Sequence, residues 1–102
     1  DQKGEQGVFK GEKYVRRVNR YEITNYHPQA VAVRVFDRIP VSRQDDLVVE
    51  ELEVTEPVQR KVRDLKGILA WERTVQPGEA ITLKAGFEIR VPEDSELPPE
   101  FR

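Results

Sequence analysis

The sequence has no cysteine and no methionine, and only one histidine and one tryptophan among its 102 residues. Without cysteine there is neither a disulfide framework nor a thiolate metal site. The compartment stays open on that ground, because many exported domains also lack cysteine. A methionine is missing even at the first position, which points to a domain taken out of a longer polypeptide. Also missing is any apolar run approaching the roughly 20 residues of a membrane span. No charged-then-apolar leader precedes Gly7.

The scarcity of reactive groups excludes most chemistry. His27, beside Tyr26 and Pro28, has no second strong ligand at metal spacing, so it reads as an exposed turn residue. Asp45, Asp46 and Glu50 could meet a calcium ion with loop carboxylates. They lack the alternating acidic spacing and the glycine of a calcium loop, so solvated charge is expected. Ser42 and Ser95 have no paired base in sequence. "GEQGVFKGEK" lacks the residue order of a phosphate-binding loop. No enzyme, catalytic residue, cofactor or metal is expected.

Charge, by contrast, is abundant at 35% of residues, with a net value of -2. It is segregated: nine Lys/Arg against five Asp/Glu in 1–43, six acids and no base in 44–56, and eight of each in 57–102. A nucleic-acid module carries a basic excess over the whole domain, so nucleic acid is not an expected partner. Lys13, Arg16, Arg17 and Arg20 form the one basic cluster, and strand alternation divides them two and two between opposite faces. The length fits one hydrophobic core.

Periodicity is that of strands. "KYVRRVNRYEITN" (13–25) and Ala30 to Ile39 are dense in β-branched and aromatic residues, with Pro28 between them. The second of these has apolar residues at both parities, which predicts cover on each side. "LVVEELEV" (47–54) reads as a strand in competition with a helix, and Glu50, Glu51 and Glu53 then point to both faces. Such a strand belongs at a sheet edge, where charge discourages pairing with other chains. These three glutamates form a possible partner-docking edge, and partners near Arg16, Arg17 or Arg20 are expected for some of them.

"VQRKVRDL" is expected to form a short strand, and Lys66-Gly67 a turn. In "GILAWERTVQPGEAITLKAGFEIRVP" (67–92), a strand from Ile68 to Val75 leads through Pro77-Gly78, suited to a type II turn, into a long strand. Its apolar residues Ile81, Leu83, Ala85, Phe87, Ile89 and Val91 take every second position. Leu69, Trp71, Val75, Ile81, Leu83, Phe87 and Ile89 are expected in one core. Trp71 is read as its anchor rather than as a stacking platform for a sugar. Gly86, on the polar face, marks a place where a neighbouring long side chain lies over the backbone.

These readings predict an all-β protein, an antiparallel immunoglobulin-like β-sandwich of six to seven strands. The expected organisation is a flexible leading segment at 1–12, the sandwich at 13–92, and a Pro-rich linker or surface-hugging tail at 93–102.

Several of these pieces occur in the same order in one family. Asn25, the Val-rich strand leading to Asp37, Ile39, Pro40 and Ser42, then Gly67, Leu69, Trp71, Pro77, Gly78 and Glu79, and a closing strand before Pro92 resemble the C-terminal domain of the mucoidy-inhibitor-like proteins. That is a domain of unknown function in bacteria, with eukaryotic relatives. The G-x-L-x-W and P-G-E pieces are also similar to repeat domains of bacterial surface adhesins, and "DRIPVS" favours the first family. The resemblance implies a position after an N-terminal β domain and a coiled coil, and no catalytic residues to carry over.

Two functional classes follow. One is a non-catalytic interaction or structural module of a larger exported or envelope-associated protein, contacting neighbouring domains or a protein partner. The other is a regulatory or carbohydrate-binding domain attached to an activity elsewhere. A periplasmic, envelope-associated or secreted location is favoured.

Overall fold

A computed structural model of the chain describes residues 2–42, 44–60 and 62–101. Seven strands fall in chain order: β1 (Gln2–Phe9), β2 (Glu12–Thr24), β3 (Val31–Arg38), β4 (Val48–Leu52), β5 (Gln59–Arg60), β6 (Ile68–Val75) and β7 (Ala80–Pro92). They form two antiparallel sheets, a four-stranded one in the order β1-β2-β7-β4 and a three-stranded one in the order β3-β6-β5. Asp1 and Arg102, at the ends of the two expected flanking segments, lie outside the described residues. So do Arg43 in the loop before β4 and Lys61 after β5.

The long strands follow from sequence alternation. On β7 the odd positions Leu83, Ala85, Phe87, Ile89 and Val91 are buried, and on β2 Val15 takes the same inward side opposite Ile89. The smaller sheet supplies Leu69 and Trp71 from across the sandwich, with Trp71 1% exposed. Its ring tilts against Tyr21 at a centroid distance of 6.2 Å. Its Nε1 donates to the Thr55 carbonyl at 2.9 Å, so the polar edge of the indole is satisfied inside the core. Of the expected core residues only Ile81 is half-buried; the other six are buried.

Several expectations need correction. Residues 2–9 do not form a flexible lead. They pair with β2 along their whole length, joined by a two-residue turn in which Lys10 and Gly11 both have positive φ (52° and 78°). That geometry matches the twist of a hairpin. The strand is held by backbone pairing and is almost wholly exposed, so it leaves no apolar periodicity to read.

Strand β3 is covered on one side only. Val31, Val33, Val35 and Asp37 are half-buried while Ala32, Arg34, Phe36 and Arg38 are exposed, with Arg34 lying 4.9 Å above the outward Phe36 ring. "VQRKVRDL" gives only the two residues of β5 before a 3-10 turn at Val62–Asp64, where Arg63 and Asp64 adopt positive φ (55° and 61°). Near the C-terminal end Phe101 is 6% exposed and part of the core, edge-on to Phe87 at 5.8 Å, and Leu97 packs on the same core.

Candidate functional site

Most residues of the family-like sequence pattern prove to be fasteners of the fold. Asn25 is 4% exposed. Its Nδ2 donates to the carbonyls of Gln29 (2.8 Å) and Val75 (2.9 Å), and its Oδ1 accepts from the His27 amide at 2.8 Å. Its own backbone bonds Glu79 and Gly78, so this one residue ties the β2–β3 loop to the end of β6 by its side chain and to the β6–β7 turn by its backbone. That turn is the expected one, with Gly78 at φ 76° and the Glu79 amide bonded to the Gln76 carbonyl at 3.0 Å.

Asp37 accepts from Asn19 Nδ2 at 3.2 Å and from the Tyr21 hydroxyl at 2.9 Å, clamping β3 over β2. Burial, then the bond to Asp37, pushes the Tyr21 phenol up to about 12. The Ile39 amide donates to the Gly67 carbonyl at 2.7 Å. A Cβ at Gly67 would collide with the Ile39 carbonyl, so the glycine and "DRIP" are required together. Ser42 Oγ lies 2.8 Å from the carbonyls of Gln44 and Leu47.

A concave feature lies elsewhere, on the outer face of the larger sheet. Even positions of β2 and β7, odd positions of β1 and even positions of β4 share that face by register. Arg16 faces Glu5 on one side and Glu88 on the other, and Glu50 faces Glu88. A chain of ion pairs results: Glu5 to Arg16 at 3.7 Å, Arg16 to Glu88 at 3.4 Å, Glu88 to Arg90 at 3.5 Å and Arg90 to Glu50 at 3.1 Å. Glu88 is 8% exposed, and a carboxylate that covered needs the two guanidiniums beside it. Tyr14 joins the row through its hydroxyl, 2.9 Å from Glu5 Oε1, and that bond holds the phenol above its ordinary range.

One register step further, Val18, Gly86 and Leu52 stand side by side across β2, β7 and β4. A Cβ on Gly86 would come within 2.7 Å of the Arg17 carbonyl and the Val18 methyl and 3.1 Å of the Leu52 carbonyl. Glycine is therefore demanded by flanking backbone and by Val18, not by the long side chain the sequence suggested. Beside these residues lies a shallow groove of about 640 Å³. Its floor is Val18 and Leu52, and its walls are Glu5, Arg16 and Glu88 on one side and Arg20, Lys84 and Glu53 on the other.

The three glutamates read from the sequence as a docking edge do lie on or just after β4, an edge strand. They are exposed and open in three directions. Glu50 closes the ion-pair row through Arg90. Glu53 lines the groove and meets Lys84 at 3.8 Å. Glu51 reaches across the open side of the sandwich to Arg60 of β5 at 2.8 Å, and with Glu56 it raises the Arg60 guanidinium's already high pKa.

None of these partners is Arg16, Arg17 or Arg20, because β7 separates β4 from β2. Of that basic cluster, Arg16 and Arg20 face the groove. Lys13 and Arg17 turn inward, to the carbonyls of Ser95 (2.8 Å) and Glu100 (3.3 Å). The groove itself was missed. Its lining residues carry no joint signal in the sequence, because only the strand order brings β1, β2, β7 and β4 side by side.

The other candidates are placed apart. His27 is exposed in the β2–β3 loop, Ser95 Oγ donates to Asp46 at 2.7 Å, and Glu50 is engaged with Arg90. Among the described residues no three His, Cys, Asp or Glu side chains gather as a metal site, and no helix is long and apolar enough to cross a membrane.

No curated protein and no solved structure matches the chain. A family model does, over residues 1–93, a span that takes in every strand from β1 to β7. The chain belongs to the family described as Domain of unknown function (DUF4139).

Proposed function

We propose that this domain is a non-catalytic interaction module of a larger, exported or envelope-associated protein. In this reading it engages a neighbouring domain or a protein partner through β4 and the groove beside it. The observation that carries the reading is the groove's make-up: two apolar residues, Val18 of β2 and Leu52 of β4, between two rows of opposed charges, with an acidic edge strand along one side. A shallow depression of that kind suits an extended polypeptide better than a small molecule, which is held in a deeper and mostly apolar cleft. Backbone pairing on β4 and side-chain contact with Leu52 and Val18 are available to the same segment.

A carbohydrate-binding reading draws less support. The exposed aromatics Phe9, Tyr26 and Phe36 sit on a hairpin end, a loop and the outer face of β3, and two of them carry a cation over the ring. We also read the four-plus-three sandwich as immunoglobulin-like. We assign the domain to the C-terminal part of mucoidy-inhibitor-like proteins, on the pattern from Asn25 to Pro92.

The test is the triple variant Glu50→Gln, Glu51→Gln, Glu53→Gln in affinity capture from the source organism at low and raised salt. Exposed ion pairs are worth about 0 to 1 kcal/mol each, so the variant stays folded. The expected result is a partner that the native domain retains at low salt and loses at high salt, and that the variant fails to retain. Equal recovery by both proteins would remove the acidic edge from the interface.

A further inference from the structure

We propose, resting on the reading of β4 as a docking edge, that the partner is an extended segment that pairs with β4 as an added strand. It sends an apolar side chain, flanked in sequence by lysine or arginine, into a recess on the inward side of β4. The backbone of β4 is open at two residues. Bonds from the Asn25 amide to the Glu79 carbonyl and from the Glu93 amide to the Gly11 carbonyl fix the phase of the β2–β7 ladder, so odd residues of β7 turn their amides and carbonyls to β2 and even ones turn theirs to β4. Opposite those even residues stand Val48, Glu50 and Leu52. Val49 and Glu51 therefore present their amides and carbonyls to the free edge. Both ends of that edge are closed: the Leu47 carbonyl accepts from Ser42 Oγ at 2.8 Å, and the Thr55 amide donates to the Lys84 carbonyl at 2.9 Å.

The same two residues line an apolar recess of about 320 Å³ on the open side of the sandwich. Val49 meets Ile39, Val41, Ile68 and Leu69 there, and the Glu51–Arg60 pair, at 2.8 Å, forms the polar part of the wall between β4 and β5. Ile39 and Leu69 belong to the core, whereas Val41 is exposed, so the recess leads from solvent to the core. Its volume is at the low end of small-ligand pockets, which run from about 300 to 1,000 Å³, and suits a single apolar side chain. A strand laid beside β4 keeps the alternation of the sheet. Its residue across from Val49 enters the recess, and the next one, across from Glu50, stays on the outer face.

Charge selects the occupant. Residues 44–56 hold six acids and no base, and Glu50, Glu51 and Glu53 are exposed although each meets a cation of the domain's own sheets. An exposed carboxylate accepts bonds from more than one side, so a lysine or arginine across from Glu50 adds an opposite-charge cross-strand pair. The β4 of a second copy would instead bring another run of six acids alongside the first, and like charges set against each other disfavour that partner. The segment is therefore basic at its outward positions and apolar at the inward one.

The test is an NMR titration of the isotope-labelled domain with an end-blocked synthetic peptide, Lys-Thr-Lys-Leu-Lys-Thr-Lys, which has lysine at every second position and leucine at its centre. The expected result is saturable shifts at the amides of Val49 and Glu51 and at the methyls of Val41, Ile68 and Leu69, weakening as salt is raised. Replacing the leucine by threonine should weaken binding about fivefold or more. Val41→Gln, a change at an exposed position, should remove that difference between the two peptides. Equal affinity for the leucine and threonine peptides, with shifts at Val18 and Gly86 instead of the recess, would overturn the recess while β4 stood as a docking edge. Undiminished binding after every lysine is replaced by glutamate would overturn the basic character of the segment. No saturable shift on β4 with any of the peptides would overturn the recess and the docking edge together.

Discussion

Replacing Asn25 tests most sharply how this sandwich is fastened at one end. Asn25→Ala removes three side-chain hydrogen bonds. The Val75 carbonyl belongs to a residue that is 0% exposed, so it loses a partner that water does not readily replace, at a cost of about 1 to 3 kcal/mol. Gln29 and His27 are exposed, and solvent takes over there, leaving a net loss of about 0.5 to 1.5 kcal/mol each. The total of about 2 to 6 kcal/mol is a large part of the about 5 to 15 kcal/mol that holds a domain folded. In a thermal melt followed by circular dichroism it corresponds to a fall of about 10 to 30 °C.

Asn25→Asp separates hydrogen bonding from shape. Aspartate keeps the acceptor for His27 but replaces the nitrogen that donates both other bonds with an oxygen facing the two carbonyls, in a buried site that disfavours charge. Its carboxyl is then expected above its unfolded range of about 3.9. Stability from the protonated form is present below that value and lost as pH rises, so the Asp variant should be at least as unstable as Ala at neutral pH and should recover ground in acid. A shift below about 4 °C for the Ala variant would mean that these bonds contribute little and would refute the reasoning.

Further outcomes follow from the same packing. Trp71→Ala should cost about 3 to 5 kcal/mol, and Trp71→Phe should lose chiefly the bond to the Thr55 carbonyl, about 1 to 3 kcal/mol; chemical unfolding midpoints measure both. Gly86→Ala, which sets a methyl against the Arg17 and Leu52 carbonyls, should cost about 1 to 3 kcal/mol, and an unchanged midpoint would show that β7 has slack there. Tyr21 holds its proton in the folded state up to about 12 instead of 10.0. Its contribution is therefore complete below pH 10 and lost as pH rises toward 12. The melting difference between the native chain and Tyr21→Phe should stay constant below pH 10 and close above it; a gap that persists at pH 12 would contradict the bond to Asp37.

What could be read from the sequence depended on whether a residue's role was local. β6 and β7 were legible almost to the residue, because unbroken alternation and a Pro-Gly turn are contained within 67–92. The edge placement of β4 followed from glutamates of both parities, but their partners did not, since Arg90, Lys84 and Arg60 reach them through strand order. β1 was hidden because it is held by pairing rather than burial. Asn25 stood out as part of a pattern and could be explained only when Val75, 50 positions away in sequence, lay beside it. The groove was invisible for the same reason, as its lining brings together residues from β1, β2, β4 and β7.

The central claim, that β4 and the groove beside it form the working face, is tested most directly by amide hydrogen exchange of this domain alone and within its intact parent protein. The account predicts that exchange slows at Val48–Leu52 and in the following residues through Thr55 when the parent is intact, while the exposed edge of β3 exchanges at the same rate in both. Exchange along β4 that does not change, with protection appearing on the smaller sheet instead, would contradict it.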